Sequence, residues 1–154
     1  MGLYASGNIN VNCEKLTVIG GVYLVSPYRN GDTKKSSQTG SAGLYIDGSY
    51  NINIASSSTL EVTGGDGLSN DGNDYVSDGG YAIYTNGISK IKGYGTLIAT
   101  GGAGGDNKEP SYNEGEAGKG GLAINYPNLQ VDGTINKTLS QGPDGEKNTS
   151  TSNT

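Results

Sequence analysis

Three tyrosines recur in one local setting: Tyr4 follows Gly2-Leu3, Tyr45 follows Gly43-Leu44, and Tyr84 follows Ala82-Ile83. A tyrosine ring joins an apolar face to a polar tip, so a row of them can stack on sugar rings and hydrogen-bond the sugar hydroxyls. If the three stand one above another at the strand-pairing distance of about 4.8 Å, their spacing is close to one pyranose unit. An extended polysaccharide could then lie along the row, with Asn10, Asn51 and Lys90 on the neighbouring face. Aromatic ladders also strengthen strand pairing in their own right, and the two roles are compatible. Tyr28 and Arg29, with Lys34 and Lys35 nearby, are the place where a carboxylate sugar could meet a fork of donors; ordinary loop charges are the alternative.

Acidic residues form a second group. Asp66, Asp71, Asp74 and Asp78 cluster in one segment, and Asp106, Glu109, Glu114 and Glu116 in another. Calcium takes six to eight oxygens in a flexible arrangement, which two neighbouring loops of this kind can supply; a solvated acidic rim is the competing reading. Gly101-Gly102-Ala103-Gly104-Gly105-Asp106 matches the first six positions of the nine-residue calcium turn of β-rolls. Lys108 stands where that turn needs a large apolar residue, so the match is not taken as a site. The stretch "GEAGKGG" around Lys119 lacks both the Ser/Thr and the following helix of a phosphate-binding loop, and that chemistry is set aside.

Composition narrows the function classes. The chain has 154 residues, 28 glycines, 11 tyrosines, no Phe, Trp or His, and a net charge of −5. Only 32% of residues are hydrophobic, so any core must be thin or repetitive. With a single arginine and an acidic balance, nucleic acid is a poor partner. Without histidine, acid/base catalysis at neutral pH needs a shifted carboxylate or lysine, and imidazole-based zinc sites are excluded. The lone Cys13 cannot form an internal disulfide and reads as a small strand residue. No apolar run approaches the roughly 20 residues that span a bilayer, which predicts no membrane insertion: a soluble chain, or a piece of a larger exported protein.

The elements that must position these residues come from a repeat. Leu3, Leu44, Ile83 and Leu122 share a setting at offsets of 41, 39 and 39 residues. The first three units carry a turn glycine (Gly7, Gly48, Gly87), then Val11, Ile52 or Ile91 four residues on, and each ends on a glycine doublet at 20–21, 64–65 or 101–102. Between landmarks the apolar pattern alternates with period two, the period of a half-buried strand. The first strand points Leu3/Ala5, Leu44/Ile46, Ile83/Thr85 and Leu122/Ile124 inward. The second points Ile9/Val11, Ile52/Ile54, Ile91 and Leu129/Val131 inward; the third, Leu16/Val18, Leu60/Val62, Leu97/Ala99 and Ile135.

Three short strands per unit, recurring about every 40 residues, describe coils of a parallel β-solenoid in which stability comes from coil-to-coil contact. A propeller blade would need a fourth strand. The expectation is four coils starting near residues 2, 43, 82 and 121, a solenoid domain over 1–137, and a flexible tail or linker over 138–154. The connections 22–42, 66–81 and 103–120 should lie together on one side.

Units of the form Gly-Leu/Ile-Tyr...Gly...Ile...Gly-Thr-Leu-x-Ala/Val-Thr-Gly-Gly make residues 2 to about 135 resemble bacterial surface proteins described as carbohydrate-binding domain-containing, with a pectate-lyase-like fold. That resemblance implies a right-handed single-stranded parallel β-helix, an extracellular or cell-surface location, and binding of a polysaccharide, an acidic one with calcium assistance included. It supplies no catalytic residues. The expectation is therefore a noncatalytic polysaccharide-binding module that requires no cofactor, with calcium as the one candidate ion. The alternatives are a stalk or adhesin module that binds neighbouring domains or its own copies through open solenoid ends, and a fragment of a polysaccharide lyase.

Overall fold

The computed structural model describes residues 1–22, 34–35, 40–69, 75–108 and 116–147, with the backbone path alone at 34, 35 and 75. Thirteen strands and no helix are found among the described residues. They are β1 (Leu3–Ala5), β2 (Ile9–Val11), β3 (Lys15–Ile19), β4 (Lys34–Lys35), β5 (Leu44–Ile46), β6 (Ile52–Ile54), β7 (Thr59–Thr63), β8 (Tyr75–Val76), β9 (Ile83–Thr85), β10 (Ser89–Gly93), β11 (Thr96–Thr100), β12 (Leu129–Val131) and β13 (Asn136–Ser140).

Every strand pairs in parallel with its counterpart one unit away. The first sheet is β1-β5-β9, the second β2-β6-β10-β12, the third β3-β7-β11-β13, and β4 pairs with β8 outside them. The protein is thus an all-β parallel β-helix of about four coils. Parallel register puts like side chains above like: Leu3 on Leu44 on Ile83, Ile9 on Ile52 on Ile91, and Leu16 on Leu60 on Leu97. In the middle coils these rows are closed to solvent, with Leu44, Ile52, Leu60, Ile83, Ile91 and Leu97 at most 1% exposed. Full burial of such a side chain is worth about 1.5–3 kcal/mol, so the fold rests on a few stacked aliphatic columns.

The fourth coil departs from the expected alignment. Ile124, not Leu122, stands level with Ile83, and Leu122 is 49% exposed. The reason lies in Gly121, whose N–H donates to Gly102 O at 2.8 Å; that tie places Gly121 in the glycine layer described below and leaves Ala123 in the position held by Gly43 and Ala82. In the second sheet Leu129 lies level with Ser89, and Val131 with Ile91. In the third, Ile135 is a buried corner residue before β13, and Lys137 and Leu139 stand level with Leu97 and Ala99. The ladder continues through Ser140, and Asn107 bridges to Lys147, so coil pairing extends beyond residue 137. Cys13 sits exposed in the corner between β2 and β3 and is not part of a strand.

The described parts of the glycine-rich connections do lie together, and they are packed. Outgoing segments 20–21, 64–69, 101–107 and 141–147 alternate with returning segments 40–43, 76–81 and 116–121. A zig-zag of backbone hydrogen bonds crosses between the two tiers: Ser41 N to Gly21 O, Gly65 N to Ser41 O, Gly80 N to Gly65 O, Gly102 N to Gly80 O, Gly121 N to Gly102 O and Gly142 N to Gly121 O. A second zig-zag runs Ser77 N to Leu68 O, Gly105 N to Ser77 O, Gly118 N to Gly105 O and Gly145 N to Gly118 O. Backbones approach this closely only where no Cβ intervenes. A Cβ at Gly102 would lie 2.5 Å from the carbonyl carbon of Gly65 and 2.9 Å from Gly64 O. The glycine doublets therefore build a layer in which backbone hydrogen bonds replace an apolar core.

Candidate functional site

The tyrosine row forms as expected: Tyr4, Tyr45 and Tyr84 are register partners on the outer face of the first sheet. Tyr4 and Tyr45 stack with ring centroids 5.8 Å apart and planes 9° apart, and Tyr45 and Tyr84 at 5.6 Å and 17°. Tyr81 tilts against Tyr84 at 5.3 Å and 56°. This geometry alters what the row can offer. Rings stacked on one another along the axis turn their faces to each other, which leaves edges and hydroxyls for solvent. A sugar cannot lie flat on Tyr45 unless the ladder opens, whereas the outer face of Tyr4, a residue 50% exposed, has no ring stacked on it among the described residues. The next position in the row is held by Asn125 instead of Ala123; its carboxamide accepts from Thr85 N at 3.0 Å and donates to Thr85 O at 2.7 Å.

At the edge of the row the Tyr4 hydroxyl donates to the Asp47 carboxylate, which also accepts from Asn86 Nδ2 at 2.7 Å. Asn86 Oδ1 in turn accepts from Gly48 N at 2.6 Å, at a turn where Gly48 holds φ +117°, a conformation that L side chains rarely adopt. The hydrogen bond to Asp47 raises the Tyr4 phenol above its usual pKa, and the bonds from Tyr4 and Asn86 hold the Asp47 carboxyl below the usual carboxylate range. Asp47 and Asn86 carry no signal in the strand periodicity, because they lie one residue past the strand ends.

Asn10, Asn51 and Lys90 do not share one row. Register places Asn10 with Asn53 and Lys92, while Asn51 is level with Asn8 and Lys90. Both rows face outward on the second sheet. The Asn51 N–H donates to Asn8 Oδ1 at 2.9 Å, and the Lys90 N–H donates to Asn51 Oδ1 at 3.0 Å. Those bonds tie the carbonyl ends of Asn8 and Asn51 to the ladder, so their Nδ2 groups remain as donors. Asn10 and Asn53 make no side-chain hydrogen bond among the described residues. Asn8, Asn10, Asn51, Asn53 and Lys92 line a shallow depression of about 270 Å³, open to solvent on its outer side. Asn8, Asn53 and Lys92 are therefore the members that sequence spacing did not group with Asn10. The 43-residue step from Asn8 to Asn51, against 41 from Leu3 to Leu44, marks a two-residue insertion in the corner between β5 and β6, and that is the signal that groups them.

Three of the acidic residues have local structural tasks. Asp66 accepts from Ala103 N at 2.9 Å, Asp106 from Glu146 N at 2.9 Å, and Asp78 from Lys119 N at 2.7 Å. Each carboxylate satisfies a backbone donor of an adjacent coil in the glycine layer. Glu116 is exposed. Among the described residues no three acidic, His or Cys side chains come together in a way that could hold a metal ion. Asp71, Asp74, Glu109 and Glu114 lie outside the described residues, as do Tyr28 and Arg29.

Comparison with known proteins places no relative beside this arrangement: no family model, no curated protein and no solved structure matches the chain.

Proposed function

We propose that the protein is a noncatalytic polysaccharide-binding β-solenoid of the bacterial surface or its surroundings, and that the glycan lies along the outer face of the second sheet. The observation that carries this reading is the depression lined by Asn8, Asn10, Asn51, Asn53 and Lys92. A carboxamide offers a donor pair and an acceptor on one rigid plane, which matches neighbouring hydroxyls on a sugar ring. Parallel coils repeat that offer at about 4.8 Å, so an extended chain meets equivalent partners at successive residues. The free amides of Asn10 and Asn53, adjacent in one row, are the central contacts, and Lys92 contributes a charged donor at the end of the row.

The tyrosine row has a supporting part in this reading. Its stacked faces brace the first sheet, and its hydroxyl edge gives a polar margin. The test is a glycan array followed by isothermal titration with the best hit. The double variant Asn10→Ala/Asn53→Ala should weaken binding at least tenfold, while Tyr45→Ala/Tyr84→Ala should mainly lower thermal stability. Loss of binding in the tyrosine variant with retention in the asparagine variant would move the site to the first sheet. An array with no hit, with and without calcium, would sink the reading.

A further inference from the structure

Charge is spread unevenly over the three outer faces of the solenoid. The strands of the second sheet, β2, β6, β10 and β12, hold two lysines, Lys90 and Lys92, and no acidic residue, in a chain that carries −5. The strands of the first sheet hold no charged residue. On the outward rows of the third sheet Lys15 is paired with Glu61, and Lys137 belongs to the inward row, level with Leu97. Lys90 and Lys92 are both exposed and make no ion pair among the described residues.

The two lysines are two residues apart on one face of β10, so their stems leave the sheet about 6.6–6.8 Å apart. Lys92 continues the row Asn10–Asn53, and Lys90 continues the row Asn8–Asn51. Each row of two carboxamides therefore ends on an ammonium group at the level of coil 3. One coil further, Gln130 stands level with Lys90 and turns its Nε2 to Pro127 O at 3.4 Å. Asp132, one residue past β12, stands level with Lys92, its N–H donating to Ile91 O at 2.9 Å. An anionic group carried beyond coil 3 would thus meet a carboxylate. From the first rung to the third is two strand spacings, about 10 Å, the span of a trisaccharide.

We infer that the depression selects a glycan bearing an acidic group, a carboxylate or a sulfate ester, held at the level of coil 3 between Lys90 and Lys92, with the neighbouring sugars on the asparagines of coils 1 and 2. The inference rests on the second-sheet reading given above and adds the charge and the direction of the ligand. An ammonium group is a compact point charge with three donors, which suits the oxygens of either acid. The lysines meet the anion directly, so the contact does not run through calcium, which would need several protein oxygens around it. Each exposed ion pair contributes modestly; the preference comes from two lysines acting on one group, and the carboxamides hold the rest of the chain.

Isothermal titration of the full chain with uronate and sulfate-ester trisaccharides, each beside its carboxyl-reduced or desulfated form, tests this. The acidic form of at least one class should bind about 2- to 30-fold more tightly than its neutral form, as two exposed ion pairs allow, and the class that leads identifies the acid. Lys90→Gln/Lys92→Gln should bring the acidic and neutral forms to the same affinity. Lys119→Gln, the same loss of charge in the glycine layer, should preserve the preference, and Asp132→Asn should widen it. Salt at about 1 M, where the screening length is about 3 Å, should erase it, and EDTA should leave it as it was. Both lysines are exposed, so their variants keep the fold, which far-UV circular dichroism verifies. A preference that needs calcium, one that survives the double lysine variant, or a polyglutamate peptide bound as tightly as the acidic sugar would each overturn the inference. Acidic and neutral sugars bound alike would overturn it too while leaving the glycan-binding face in place, and binding of no sugar in any form would sink both.

Discussion

Replacing Gly102 by alanine tests whether the glycine layer is a packed part of the fold. Gly102 is buried; its N–H donates to Gly80 O at 2.9 Å and its C=O accepts from Gly121 N at 2.8 Å. The new Cβ would stand 2.5 Å from Gly65 C and 2.9 Å from Gly64 O, where ordinary contact begins at 3.4 Å. Both obstacles are backbone of the preceding coil in the same tier, which cannot rotate away, so the two coils must separate by about 1 Å at this point and the hydrogen bonds that tie Gly102 to the returning tier stretch or break. Leaving a buried donor or acceptor unsatisfied costs about 1–3 kcal/mol each. Restricting the unfolded chain by a glycine-to-alanine change returns only about 0.4–1 kcal/mol. The expected net loss is roughly 1–5 kcal/mol, which for a domain near this size lowers the melting midpoint on the order of 2–20 °C.

Scanning calorimetry on Gly102→Ala beside Gly133→Ala gives the comparison, since a Cβ at Gly133 meets nothing within 4 Å. The control should stay within about 0.5 kcal/mol of the parent. If Gly102→Ala melts with the parent, the tiers are not in contact and the layer is a set of loose connections. An equal drop in both variants would show that close approach at Gly102 is not the cause, since a Cβ at Gly133 meets no neighbour.

Other outcomes follow from the same geometry. Ile52→Ala, at a fully buried position between Ile9 and Ile91, should cost about 2–5 kcal/mol in urea unfolding, against a near-neutral Ile19→Ala at the exposed rim. The Tyr4–Asp47 pair predicts a pH dependence at both extremes. Asp47 has a lowered carboxyl pKa, so its contribution is complete above the unfolded value of 3.8 and is lost as pH falls through the lower folded value. Tyr4 is raised, so its contribution is complete below 10.0 and is lost as pH rises through the higher folded value. Asp47→Asn should flatten both limbs of a plot of melting midpoint against pH; unchanged limbs would show that other groups set them. The Asn10→Ala/Asn53→Ala variant described above probes the binding face.

The repeat was legible because a parallel solenoid stacks equivalent residues, so period-two alternation and a step near 40 residues are written directly into the chain. Leu44, Ile83, Ile52 and Ile91 stand where the pattern put them. The fourth coil was misaligned because Gly121-Leu122-Ala123 copies the look of Gly43-Leu44-Tyr45 while Gly121 is bonded into the glycine layer. Composition alone cannot tell a glycine that turns a corner from one that packs a layer. The tyrosine row was legible as a row, yet its ring orientation was not, since stacking is decided by side-chain packing between coils.

By itself, then, the sequence determined the coil architecture, the inward columns and the outward tyrosine row, because those depend on local alternation repeated at a fixed step. Tertiary structure decided the rest. It set the registers that group Asn10 with Asn53 and Lys92, the use of Asp66, Asp78 and Asp106 as backbone acceptors, and the closing of the first sheet at Thr85 by the Asn125 carboxamide. The asparagine registers depend on a two-residue insertion in the corner between β5 and β6, which shifts the second sheet against the first without disturbing the alternation within either.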